Sequence, residues 1–86
     1  METRIAILGI IVDDVESTSR INELLHACGD YIIGRMGIPY RQAGVNIICI
    51  ALDAPPDVIN TLAGRIGKVD GVSAKTIYSR VRQSGE

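Results

Sequence analysis

No phenylalanine and no tryptophan occur in the 86 residues, and the aromatic side chains are limited to Tyr31, Tyr40 and Tyr78. Any core must therefore be aliphatic, built mainly of Ile, Val and Leu. Cysteine is nearly absent as well. Cys28 and Cys49 are too few and too unpatterned for a disulfide scaffold or a two-pair zinc site, so reduced thiols are expected. The chain also lacks an excess of positive charge. Nine Lys and Arg stand against ten Asp and Glu, a net charge of -1, which removes the field that most nucleic-acid binders use to attract phosphates. Direct nucleic-acid binding is not expected. The longest apolar runs, such as Ile5 to Val12, are far too short to span a bilayer, and no basic segment with a cleavage site opens the chain. The expectation is a soluble, cytoplasmic protein with no membrane partner.

What is present is a globular composition, 47% hydrophobic and 22% charged, at a length that supports one core. A single domain is expected over residues 1–79, followed by a polar C-terminal tail at 80–86. Arg4 to Val12 is β-branched and almost wholly apolar, which reads as a strand covered on both faces. Asp13 to Glu16 has capping-box spacing, and Ile21, Leu24, Leu25 and Cys28 then recur at helical intervals up to Gly29, so a helix is expected from Val15 to Cys28. Tyr31 to Met36 reads as a second strand, and Gly37 to Gly44, with Pro39 inside, as a connector. Val45 to Leu52 repeats the character of the first strand and ends in Asp53. Pro55 and Pro56 suit the first turn of a second helix, whose stripe is Val58, Ile59, Leu62 and Ile66. Gly71 to Tyr78 gives a fourth strand.

The order β-α-β-β-α-β has an internal echo. Ile21-Asn22-Glu23-Leu24 with Gly29 matches Ile59-Asn60-Thr61-Leu62 with Gly67 at a constant offset. The expected fold is α+β, a ferredoxin-like βαββαβ sandwich whose four-stranded antiparallel sheet has order 4-1-3-2 and carries two helices on one face. This order makes the first and third strands central, which agrees with their double-sided apolar character. It puts Arg35, Ser73 and Lys75 on the edges, where charge and polarity discourage edge pairing.

Two helices cover only one face of such a sheet. Either Ile5, Ile7 and Ile11 or Ala6, Leu8, Ile10 and Val12 must then lie on the open face, with a matching set from the third strand. About five such side chains, buried by a partner at roughly 1.5 kcal/mol each, would gain about 7 kcal/mol, comparable with the whole stability of a small domain. Homo-oligomerisation through the open sheet face is expected.

The chemistry-bearing residues exclude more than they assign. Asp13-Asp14-Val15-Glu16 stands where a heavy-metal carrier of this fold needs Cys-x-x-Cys, and an acidic pair there would repel a phosphate substrate. The central strands hold no aromatic on which a base could stack. His26 and Cys28, two apart on a helix, diverge by about 200°. Cys28 therefore reads as core and His26 as solvated. Cys49 lies mid-strand and reads either as a small buried hydrophobe or, at a symmetric interface, as one of two thiols brought together as metal ligands or a redox pair. Asp13, Asp14 and Asp53 read as helix caps, with cation binding the alternative. No nucleophile arrangement can be assembled around the single histidine, so no enzyme is expected and no catalytic or metal-ligand set is assigned. The stretch Arg35-Met36-Gly37-Ile38-Pro39-Tyr40-Arg41 is the most individual. Two guanidinium groups and a phenol near a glycine can form an anion or carboxylate pocket, which makes Arg35, Tyr40 and Arg41 the candidate ligand contacts, and a solvated hairpin rim the alternative.

Several segments together resemble a known family: Met1-Glu2-Thr3-Arg4-Ile5-Ala6, Gly29-Asp30-Tyr31-Ile32-Ile33-Gly34 running on through Arg41, Ile59-Asn60-Thr61-Leu62-Ala63-Gly64-Arg65-Ile66-Gly67, and Gly71-Val72-Ser73-Ala74-Lys75-Thr76. The chain is similar here to the iron-only hydrogenase system regulators, over roughly Met1 to Ser79. The resemblance implies an ACT-like domain, related in shape to the C-terminal sensor domain of nickel-responsive repressors. It implies, too, a protein partner in the hydrogenase system. The His-x-His ligands and ribbon-helix-helix of those repressors have no counterpart, so nickel sensing and DNA binding are not implied. Asp13-Asp14-Val15 replaces the glycine turn of amino-acid-binding ACT domains. The expected function is a homo-oligomeric regulatory module that senses a small ligand or ion at a subunit interface and signals to a protein partner. The alternative is a ligand-free scaffold for hydrogenase-maturation proteins. The cofactor, if any, is left open.

Overall fold

The computed structural model describes residues 2–82. Strand β1 (Arg4–Val12) leads through a 3-10 turn, Val15–Ser17, into helix α1 (Thr18–Ala27), and a second such turn, Gly29–Tyr31, leads into β2 (Ile32–Tyr40). Then follow β3 (Val45–Ala54), α2 (Pro56–Gly67) and β4 (Val72–Arg82). The strands form one antiparallel sheet of order β2-β3-β1-β4, which is the expected 4-1-3-2 order read from the other edge.

Strand alternation decides which apolar set the helices cover. Ala6, Leu8, Ile10 and Val12 of β1 point to the helices with Ile48, Ile50, Leu52 and Ala54 of β3, in the registers Ala6–Leu52, Leu8–Ile50 and Ile10–Ile48. From above they meet Ile21, Leu24 and Leu25 of α1 and Ile59, Leu62 and Ile66 of α2. All fourteen are buried, and no polar residue is buried among the described residues. The aliphatic composition thus produces a core with no polar group to satisfy.

Several boundaries differ from the sequence expectation, each for a physical reason. Helix α1 starts at Thr18 rather than Val15. The Asp14 carboxylate accepts from the Glu16 N–H at 3.0 Å and tightens the entry, while the Ser17 hydroxyl donates to the Asp70 carbonyl at 2.8 Å rather than capping the helix. Strand β2 runs on to Tyr40 instead of ending at Met36. Pro39, read as part of a connector, is accommodated because β2 is an edge strand, where a missing N–H need not break a ladder. The connector shrinks to the turn at 41–44, closed by Gly44 at φ +69°. Strand β4 continues past residue 79 to Arg82, so part of the expected tail is strand, and positions 83–86 lie outside the described residues.

Gly71, with φ +71°, ties the two ends of this architecture together. Its carbonyl accepts from the Asp13 N–H at 2.7 Å, and a Cβ in its place would stand 2.7 Å from the Asp14 Cβ. Only glycine allows that approach of the α2–β4 turn to the end of β1.

Candidate functional site

The residues that alternate with the core set line the other face of the sheet, which no element among the described residues covers. Register places Ile38, Ile47, Ile11 and Ser73 in one row across it, Met36, Cys49, Gly9 and Lys75 in the next, and Gly34, Ala51, Ile7 and Ile77 in a third. Six large apolar side chains there, Ile7, Ile11, Met36, Ile38, Tyr40 and Ile77, are 44–66% exposed. Near its centre Gly9 supplies no side chain between Cys49 and Lys75. The result is a shallow depression of about 450 Å³ whose walls are Ile11, Ile47, Cys49, Ser73 and Lys75. Among the described residues Lys75 is the one charged side chain at its margin.

A second concavity lies on the helix side. Helix α2 packs against β4, whereas α1 leaves β2 largely uncovered, so that every residue of β2 after Ile32 is exposed. Gly37 leaves a gap there of about 210 Å³ beneath α1. Arg35 crosses its mouth, its Nη2 donating to Asn22 Oδ1 at 3.0 Å, and Asn46 Nδ2 donates to Thr18 Oγ1 at 3.0 Å on the opposite side. The repeat in the sequence has a counterpart in these contacts. Asn22 accepts from Arg35, and its equivalent Asn60 accepts from the Tyr78 hydroxyl. In the second half the Tyr78 ring packs on the core with the Arg4 guanidinium 4.9 Å from its centroid.

The expected ligand contacts fall in different places. Arg35 pairs with Ile50 and belongs to the helix side, Tyr40 pairs with Val45 on the open side, and Arg41 begins the turn beyond. Five positions along a strand reverse the side-chain direction, so Arg35 and Tyr40 do not line one pocket within a chain. Cys49 is half-buried on the open face, Cys28 is half-buried against the core, and His26 is exposed. Asp14 caps the 3-10 turn as read. Asp53 caps nothing, because α2 is preceded by Pro55; it stands beside Ile5 on the open side with Oδ1 buried and unpartnered among the described residues. Among the described residues no three His, Cys, Asp or Glu side chains converge, and no helix is long and apolar enough to cross a membrane. Sequence reasoning missed Gly9 and the trio Thr18, Asn22 and Asn46. A lone glycine inside an apolar strand was the available sign of the first. Nothing local marked the trio, which α1 and β3 bring together only on folding.

Comparison with known proteins agrees with this architecture. Residues 4–76 match the model of the TM1266-like family, described as "Iron-only hydrogenase system regulator, putative". The chain belongs to this family. A solved member, uncharacterized protein TM1266 from Thermotoga maritima, shares 36% identity with this chain, superposes with a TM-score of 0.88, and is matched over 92% of this chain and 100% of its own. A formyltetrahydrofolate deformylase from Pseudomonas putida KT2440 superposes with a TM-score of 0.62 at 18% identity, over 85% of this chain and 28% of its own, and shows the shared fold alone. No curated protein matches this chain.

Proposed function

We propose that this regulator acts as a cytoplasmic, homo-oligomeric sensing module of the iron-only hydrogenase system. Copies associate through the open sheet face, a small ligand or ion is held where they meet, and the bound state is passed to a protein partner of that system. The observation that carries this reading is the open face itself, with six large apolar side chains about half exposed around a depression at Gly9. Contiguous apolar surface of that kind marks an interaction site. A symmetric partner contributes the same side chains again, so the gain on association is counted from both copies. Closure over Gly9 would enclose the depression beside Lys75 and Cys49. Tyr40 and Arg41, at the hairpin end of the same face, are the further polar contacts available to an interfacial ligand.

Sedimentation velocity at micromolar protein, combined with native mass spectrometry of freshly purified material, tests this. The expected result is an oligomer that carries a copurifying small molecule or ion. A well-behaved monomer at that dilution overturns the reading. A bare oligomer that binds a hydrogenase-maturation protein tightly would favour the scaffold role instead.

A further inference from the structure

The gap beneath α1 differs from the open-face depression in chemistry as well as place. Its mouth is lined by hydrogen-bond donors: the Arg35 guanidinium, the amides of Asn22 and Asn46, and the Thr18 hydroxyl. Among the described residues no acidic side chain borders it, and Arg35 is its single charge. One bond, from Nη2 to Asn22, leaves the remaining guanidinium N–H groups available, and because Asn22 uses its carbonyl oxygen there, its NH₂ is available as well. The floor is apolar, formed around Gly37 with Ile48 and Pro39. In the second half the asparagine equivalent to Asn22, Asn60, accepts instead from the hydroxyl of Tyr78, whose ring packs on the core.

We propose that this gap is a binding site for a small monocarboxylate with a short apolar tail. The planar fork of one guanidinium matches the two oxygens of a carboxylate, and the Asn22 amide holds that fork in place. A phosphate would call for further positive charge, which the gap does not provide. The apolar floor takes the tail, and a gap of about 210 Å³ matches a short one. The site lies on the side of the sheet opposite the association face and does not depend on oligomerisation, so the two ideas fail separately.

The test is a titration of the full chain with butyrate, its uncharged analogue butyramide, and inorganic phosphate, followed through backbone and side-chain amide signals by NMR. Saturable shifts at Asn22, Gly37 and Asn46 are expected with butyrate, and binding at least tenfold weaker with butyramide. Arg35→Ala removes the response. Gly37→Val removes it too while retaining the guanidinium, because a Cβ at position 37 meets nothing within 4 Å and the larger side chain enters the gap without displacing backbone. Folding of both variants is checked from the dispersion of the same spectra. Non-saturating shifts, equal responses to butyrate and butyramide, butyrate binding that survives in Gly37→Val, or preference for phosphate would each overturn the proposal.

Discussion

Ile10 and Ile11 are adjacent on β1, chemically identical, and 1% and 45% exposed. The same contrast runs the length of the two central strands: Leu8 against Ile7, Ile48 against Ile47, Ile50 against Cys49. One set is packed under two helices, and the other, no more polar, faces outward. In an isolated domain the outward set of a half-covered antiparallel sheet is ordinarily polar. Its aliphatic character here teaches that the folding of the single chain does not account for every apolar residue it carries. The helix-covered side serves folding, and the other side retains unused burial.

The largest effect that can break this comparison is a cavity on each side in turn. Leu8→Ala removes a fully buried side chain between the helices and Ile50, with an expected loss of about 2–5 kcal/mol. Ile7→Ala, made one residue away on a half-exposed side chain, is expected to cost under about 1.5 kcal/mol in the dilute monomer. Urea unfolding at two protein concentrations measures both. Equal losses at high dilution would mean that the two sides are equally packed in the folded chain, and the contrast would vanish. A penalty for Ile7→Ala that grows with concentration would sharpen it, because the oligomer would be supplying the missing burial.

A charge on the open face comes next in size. Ile11→Asp places a carboxylate in the row formed with Ile38, Ile47 and Ser73. Association is expected to weaken about 100-fold or more, since an unpaired charge cannot be desolvated cheaply at an interface. Stability at dilutions where the wild type is dissociated should fall by no more than about 2 kcal/mol, the lost half-burial of one Ile side chain plus the poor strand propensity of Asp. Sedimentation equilibrium reads the first quantity and urea unfolding the second. An unchanged association constant would place the interface elsewhere, for example along the exposed β2 edge.

The contrast between the faces also marks what could be read before the fold was known. Strand order followed from the β-α-β-β-α-β element order and its internal echo, with which the two apolar runs Ile5 to Val12 and Val45 to Leu52 agree, and the helix stripes followed from Ile21, Leu24, Leu25 and Ile59, Leu62, Ile66. Which parity the helices cover was not legible, because Ile, Leu and Val stand at both. Pro39 concealed the second half of β2, since a proline breaks a strand in general but not at an edge. Arg35 and Tyr40, close in sequence, looked like one pocket, and only alternation along a continuous strand separates them. The partners that matter to Arg35, namely Asn22 on α1 and the gap left by Gly37, are brought to it by tertiary packing.

The smallest expected effect has the opposite sign, and so tests the comparison most directly. Gly9 lies mid-strand between Cys49 and Lys75, and a Cβ there would find only the Lys75 carbonyl, at 4.0 Å, an ordinary contact distance. A glycine in a strand sacrifices backbone entropy and side-chain packing, whereas a β-branched residue favours the pleated conformation. Gly9→Val is therefore expected to stabilise the dilute monomer by about 0.5–1 kcal/mol. On the covered side, where the space is full, adding carbons of that size would strain the core. The same substitution fills the depression, so any copurifying ligand should be lost and the fit between facing copies impaired. Urea unfolding together with native mass spectrometry of the variant measures the pair of outcomes. Retention of the ligand with the depression filled would remove Gly9 from the proposed site, and a loss of monomer stability would show that the open face is as tightly constrained within one chain as the face the helices cover.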